Sequence, residues 1–175
     1  MRGFSASGAQ AASIDGSEWE LDAGAPALPR TLRLSPAPAP ANAAAQDAWA
    51  VADLRLGLPR LPASQREQWT PQQLGLERLR AFSVSKGCYP GQEIVARTHF
   101  LGKAKREALL VQVADTVDAG DPVLQDGHAI GSLAAAAGRS PRLALAVLPL
   151  QRGDGPLQAG GAEALAQAFV DGLAR

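Results

Sequence analysis

The chain has 175 residues, no net charge, 46% hydrophobic and 19% charged residues. That length can bury one core or two small ones, and the balanced charge excludes a general electrostatic hold on nucleic acid or anionic membrane while leaving local basic patches open. A single cysteine excludes an internal disulfide, and aromatics at 5% leave Leu, Val and Ala to build the core. Met1-Arg2-Gly3-Phe4 lacks a signal-peptide apolar run, and no stretch reaches the roughly 20 apolar residues of a spanning helix. A cytoplasmic location without membrane contact is expected.

Residues 1–29 are poor in pattern, with a short strand or turn expected at 17–21. Residues 30–34, Arg-Thr-Leu-Arg-Leu, alternate polar and apolar, as a half-buried strand does. Ser35 to Pro40 alternates proline with Ala and Ser and reads as an extended linker. A helix follows: Asn42 caps it, residues 43–56 favour it, Gly57 ends it and Pro59 stops it. Trp49, Ala52 and Leu56 share its apolar face. Thr70-Pro71 reads as a second helix start, which Gly75 weakens. Residues 81–85 read as a short strand.

Pro90-Gly91 marks a turn. Residues 92–101 fit a short helix ending at Gly102, with Ile94, Val95, Thr98 and Leu101 inward and a Glu93–Arg97 pair outward. From Arg106 the period becomes strand-like. Leu109, Val111 and Val113 alternate with Leu110 and Gln112, and residues 122–125 and 128–135 flank an Asp126-Gly127 hairpin turn. Residues 143–148 form another strand. Short strands at this spacing suggest a small antiparallel barrel or sandwich. Residues 162–174 are open between helix and strand; composition favours a terminal helix, with Leu165, Ala168 and Phe169 inward.

The chemistry-bearing residues cluster in Lys86-Gly87-Cys88-Tyr89-Pro90-Gly91-Gln92-Glu93 and the residues up to Arg106. This run holds the sole cysteine, the sole tyrosine, all three lysines and His99. A working cysteine is a thiolate, and Lys86 and a helix start beyond Gly91 would both lower the thiol pKa. The residues alone leave Cys88 open between a reactive thiol and a buried small side chain. A Cys-His nucleophilic pair is not expected, because His99 lies about two turns into the following helix and His128 borders the hairpin turn. One cysteine and two separated histidines do not make a typical zinc site. The basic group Lys86, Arg97, Lys103, Lys105 and Arg106 reads either as a polyanion site or as a solvated face. Arg152-Gly153-Asp154 reads as a chance loop tripeptide.

The run Lys86 to Arg97 resembles the signature of the YgfZ family: Lys-Gly-Cys-Tyr-x-Gly-Gln-Glu, three residues, then Arg. Leu54-Arg55-Leu56-Gly57-Leu58-Pro59, Thr70-Pro71-Gln72, Ser83-Val84-Ser85 and Gly102-Lys103-x-Lys105-Arg106 resemble its flanks. The resemblance covers about residues 45–135 and the C-terminal portion of the family. It implies an α+β fold like the glycine cleavage T-protein: residues 1–103 a remnant of a ferredoxin-like α/β folate-binding domain ending in the signature loop and helix, and residues 104–175 a C-terminal antiparallel β-barrel with a short tail. It implies a tetrahydrofolate-binding factor in iron–sulfur cluster assembly or repair, with indirect effects on tRNA modification, and leaves open whether the factor is itself an enzyme. Cys88 would be the reactive thiol or a cluster ligand and Lys86 its activator. Tyr89, Gln92, Glu93 and Arg97 would contact the cofactor. Partners would be iron–sulfur client enzymes or assembly proteins. The alternatives are a folate-dependent aminomethyltransferase and a tRNA-binding module using the basic patch at 97–106. A missing front half would remove much of the folate cleft and leave sheet edges open to self-association.

Overall fold

Strands β1 (Ala11–Ser13), β2 (Trp19–Asp22) and β3 (Thr31–Leu34) form an antiparallel sheet in that order. It belongs to a computed structural model that describes residues 11–13, 16–84, 90–100 and 104–173. Trp19 pairs with Leu34 and Leu21 with Leu32, so these four side chains share one face. The expected half-burial of residues 30–34 is not met: Leu32 and Leu34 are exposed, because no element packs on that face among the described residues.

Helix α1 (Ala43–Leu56) has the expected bounds. The Asn42 side chain accepts a hydrogen bond from the Ala45 amide at 3.0 Å, and Gly57 turns left-handed at φ 74° to release Leu58. Ala52, Leu54 and Leu56 are buried, and so is Asp53. Asp53 has two cationic partners. Arg30, itself buried, donates through Nη1 at 2.5 Å, and the exposed Arg60 donates through Nε. The Arg30 guanidinium also donates to the Ala23 carbonyl and lies over the Trp49 ring at 4.3 Å. This ionic cluster joins β3 to α1.

Residues 71–80 do not form the expected helix. They make two successive single turns, each closed by a left-handed residue. Gly75 (φ 69°) ends the first, with the Leu76 amide donating to Pro71 and the Gly75 amide to Gln72. Arg80 (φ 51°) ends the second, with Ala81 donating to Leu76 and Arg80 to Glu77. This is the Schellman pattern, used twice. Residues 81–84 form no strand, because the turn at Arg80 leads them away from any sheet edge; Ser85 lies outside the described residues.

Helix α2 (Gln92–Phe100) follows the Pro90-Gly91 turn. Then comes the barrel: β4 (Arg106–Val113), β5 (Pro122–Gln125), β6 (His128–Ala137), β7 (Arg142–Pro149), β8 (Leu157–Ala159), β9 (Ala162–Glu163) and β10 (Leu165–Gln167), hydrogen-bonded in the order β10-β4-β7-β6-β5-β8-β9. Because β9 and β10 are consecutive in the chain, the antiparallel ring is nearly closed. Asp126 (φ 52°) and Gly127 (φ 79°) make the expected two-residue hairpin turn.

The expected terminal helix at 162–174 is absent. Gly160-Gly161, both at positive φ, turn β8 into β9, and the open edges of β8 and β4 then draw the segment into the sheet. Backbone pairing to two waiting edges outweighs a helix-favouring composition. Leu165 is exposed rather than inward, while Phe169 packs against the barrel's outer layer.

Two cores share the barrel wall. Val111, Val123, Leu133, Ala144, Ala146 and Leu148 fill the interior. Leu110, Leu143, Leu145 and Val147 point outward under Leu54 and Leu74. Among the described residues the buried apolar side chains are all Ala, Val or Leu, in line with the composition. The tail closes the outer layer. The Val170 amide donates to the Arg55 carbonyl at 2.7 Å, and Arg78 reaches the Leu56 carbonyl, the Asp171 carboxylate and the Phe169 ring.

Replacing Asp53 with Ala leaves the Arg30 guanidinium buried without its carboxylate. The expected loss is about 3–5 kcal/mol of unfolding free energy by urea titration. A loss below about 1 kcal/mol would show that the cluster is not a structural anchor.

Candidate functional site

The described residues that flank residues 85–89 of the chain are Val84 and Pro90, and Pro90 lines the site. Upstream, Thr70 and Gln73 form a capping box: the Gln73 amide donates to Thr70 Oγ1 at 3.3 Å, and the Thr70 amide donates to Gln73 Oε1 at 2.9 Å. The box fixes the turn that presents Trp69, Thr70 and Pro71. The indole Nε1 of Trp69 donates to the buried Gln65 at 3.1 Å, which sets the ring's orientation. Gln72 Nε2 donates to the Val95 carbonyl at 2.9 Å and joins this turn to α2. Gly91, at φ 83°, allows the chain to turn into the helix.

These elements enclose a cleft of about 640 Å³. Trp69, Pro71, Phe82, Pro90 and Ile94 make most of its wall, and Glu67 places a carboxylate among the lining residues. The size and the mostly apolar lining suit a small organic molecule. Phe82 and Pro90 stand on either side of the segment that carries the signature thiol in the sequence.

Of the residues singled out in the sequence, Lys86, Cys88 and Tyr89 lie outside the described residues. Gln92 opens α2 and is half-buried; Glu93 and Arg97 are exposed. Among the described residues Gly91, Ile94 and Val95 line the cleft, and Gln92, Glu93 and Arg97 do not. No ion pair joins Glu93 to Arg97 among the described residues. Val95 is buried as expected, but Ile94 is 59% exposed, because it faces the cleft rather than the core. Leu101, Gly102 and Lys103 lie outside the described residues.

A second cleft, of about 380 Å³, lies at the other end of α2. Thr98, His99, Ala104, Arg106 and Leu150 line it, with Gln72 and Glu77 opposite. His99 Nδ1 lies 3.9 Å from Glu77 Oε1. Gln72 Oε1 is buried with no hydrogen-bond partner among the described residues. Arg97 and Lys105 of the basic group are exposed, while Arg106 donates to the Ile130 carbonyl at 3.0 Å. Arg152 donates to Glu107 and Pro149, and Gln125 donates to the Gly153 and Gly155 carbonyls. The Arg152-Gly153-Asp154 loop is therefore tied to the barrel. Among the described residues no three His, Cys, Asp or Glu side chains gather as a metal site, and no helix is long and apolar enough to cross a membrane.

Sequence reasoning missed Trp69 and Phe82, the aromatic walls. The available signal was the position of two scarce aromatics just upstream of the signature. It also missed the Arg30–Asp53–Arg60 cluster, whose members are far apart in the chain.

Curated proteins are similar to part of the chain. The chain is 43% identical over 61 residues to the tRNA-modifying protein YgfZ of Colwellia psychrerythraea. This part of the chain is YgfZ-like. The match covers 35% of this chain and 19% of that relative. An uncharacterized protein of Haemophilus influenzae is 42% identical over 66 residues, covering 37% of this chain and 24% of its own length. The matched stretches thus span about a quarter or less of these relatives. No protein-family model matches the chain. The YgfZ resemblance read from the signature is supported over that part.

The two neighbouring side chains of α2 give a direct test of its orientation. Val95→Ala is expected to cost about 2 kcal/mol in unfolding free energy by denaturant titration. Ile94→Ala is expected to change it by less than about 0.5 kcal/mol. Equal losses would contradict the assigned facing.

Proposed function

We propose that the chain supports iron–sulfur protein maturation on which tRNA modification depends, through a thiol at Cys88 beside a reduced-folate cleft. The carrying observation is the position of the cleft. It is lined by residues 67–71, Ala81 and Phe82 from upstream of the signature and by Pro90, Gly91, Ile94 and Val95 from within it. In the sequence Cys88 lies two positions before Pro90, a residue of the cleft lining. The likeness to a protein named as tRNA-modifying supports the same direction.

The cleft fits a folate ring. Trp69 and Phe82 offer apolar faces for a flat heterocycle, and the Glu67 carboxylate can accept from its amino and ring N–H groups. A bound reduced folate would supply a one-carbon carrier or a redox-active pterin. The chain's own residues orient the ring, exclude water from its faces and hold the loop beside it. Lys86 stabilises the Cys88 thiolate through its charge. Glu93, exposed on α2, can meet a partner protein.

An iron–sulfur cluster does not fit as a resident group of one chain. Clusters are usually held by four ligands, mostly cysteine thiolates, and this chain has one cysteine. The cluster is therefore cargo or substrate, with the client enzyme or assembly protein supplying the other ligands.

Three results test this reading. Titrating the chain with 5-formyltetrahydrofolate should quench its tryptophan fluorescence saturably, and Trp69→Phe should remove most of the quench. A quench that survives unchanged in that variant places the ligand elsewhere. Lys86→Gln should slow iodoacetamide alkylation of Cys88 about tenfold at neutral pH, since one unit of thiol pKa is tenfold in thiolate below the midpoint; an unchanged rate excludes Lys86 as the activator. In cells lacking the native protein, Cys88→Ala in the full-length gene should leave iron–sulfur enzyme activity at the level of the deletion. Full restoration would refute a working thiol.

A further inference from the structure

We propose that the C-terminal end of α2 and the start of β4 bind unpaired nucleotides of RNA. This adds a partner to the function above, and it does not rest on the chemistry of Cys88.

The first observation is Phe100. It is 69% exposed at the last position of α2, and its ring meets His99 edge-on with centroids 5.0 Å apart. A large exposed ring supported by a neighbouring ring presents a flat face on which a base can stack. The second is charge. Residues 94–106 contain no aspartate or glutamate, while Arg97, His99, Lys105 and Arg106 lie among them. Arg97 and Lys105 are exposed and have no ion-pair partner among the described residues. In a chain of zero net charge this is a local cationic surplus. It also offsets the partial negative charge that the α2 carbonyls present at this end.

The third observation is a cleft of about 380 Å³ lined by Thr98, Ala104, Arg106, Leu150 and His99, the residue whose ring Phe100 meets. It is large enough to receive a nucleoside. Two carboxylates border it. Glu107 is engaged by Arg152 at 2.8 Å, so its charge is compensated. Glu77, facing His99, can accept a hydrogen bond from a ribose 2′-hydroxyl, a donor that DNA lacks. The cations would meet phosphates, Phe100 would stack a base, and Glu77 would read the sugar. Since α2 spans about 13 Å, a nucleotide held here would lie one short helix away from the first cleft.

The test is fluorescence anisotropy of a labelled 12-nucleotide unstructured RNA with the full chain, repeated at several salt concentrations. Saturable binding that weakens with salt is expected. Phe100→Ala should weaken it about 5- to 100-fold. Lys105→Gln should weaken it and lower the salt slope by about one. Both side chains are exposed, and unchanged thermal melts would confirm that the variants stay folded. Cys88→Ala should bind RNA like the parent chain, which separates this proposal from the thiol reading. Three results would overturn it: no saturable RNA binding; loss of Phe100 or of Lys105 without effect; or equally tight binding of the same DNA sequence or of polyglutamate, which would leave charge alone as the attraction.

Discussion

Strand β7 is buried on both faces, and the arrangement of the other elements follows from that. Ala144, Ala146 and Leu148 enter the barrel, and Leu143, Leu145 and Val147 enter the layer beneath α1 and the 70–80 turns. A strand that is apolar on both faces must be covered twice. The ring formed by β4 to β10 covers one face. On the other, α1, Leu74, Leu76, Trp69 and Phe169 form a lid over the wall. The small side chains of Ala134, Ala135 and Ala137 keep the β6 surface flat enough for α1 to approach. The outer layer is thus part of the barrel's own stability rather than a separate unit laid against it.

That constraint positions the candidate site. Leu74 and Leu76 are anchored in the outer layer, so the turn that carries Trp69 to Pro71 is held against the barrel. Gln72 then ties α2 to this turn through the Val95 carbonyl, and Val95 is itself buried. The helix after the signature loop is therefore positioned by the barrel. Its first turn lines the larger cleft and its last turn lines the smaller one. One nine-residue helix thereby lines both clefts.

Much of this was legible in the residues. Asn42 and Gly57 bound α1 because capping is local chemistry, and Asp126-Gly127 marked its hairpin because the turn demands positive φ. The barrel strands were readable from alternation. The errors arose where distant parts of the chain decide. Residues 162–167 have a helical composition, yet two open edges meet there, and Gly160-Gly161 was the turn signal that outweighs it. Gly75 and Arg80 each end a turn too early for a helix. Ile94 follows the apolar pattern of a core residue but serves a cleft wall, which no periodicity distinguishes. At the site, the signature named its chemistry, whereas Trp69 and Phe82 became visible only once the turns brought them together. The buried Arg30–Asp53–Arg60 cluster was illegible for the same reason: its partners are 23 and 7 residues apart along the chain.

The central claim is that the signature thiol and the cleft beside Pro90 form one site. Ligand protection tests it most directly. The rate of iodoacetamide modification at Cys88 is measured by intact mass, with and without saturating 5-formyltetrahydrofolate. A single site predicts that the folate slows modification several-fold and that Trp69→Ala abolishes the slowing. A rate unchanged by folate, while the folate is shown to be bound, would contradict the claim and separate the thiol from the cleft.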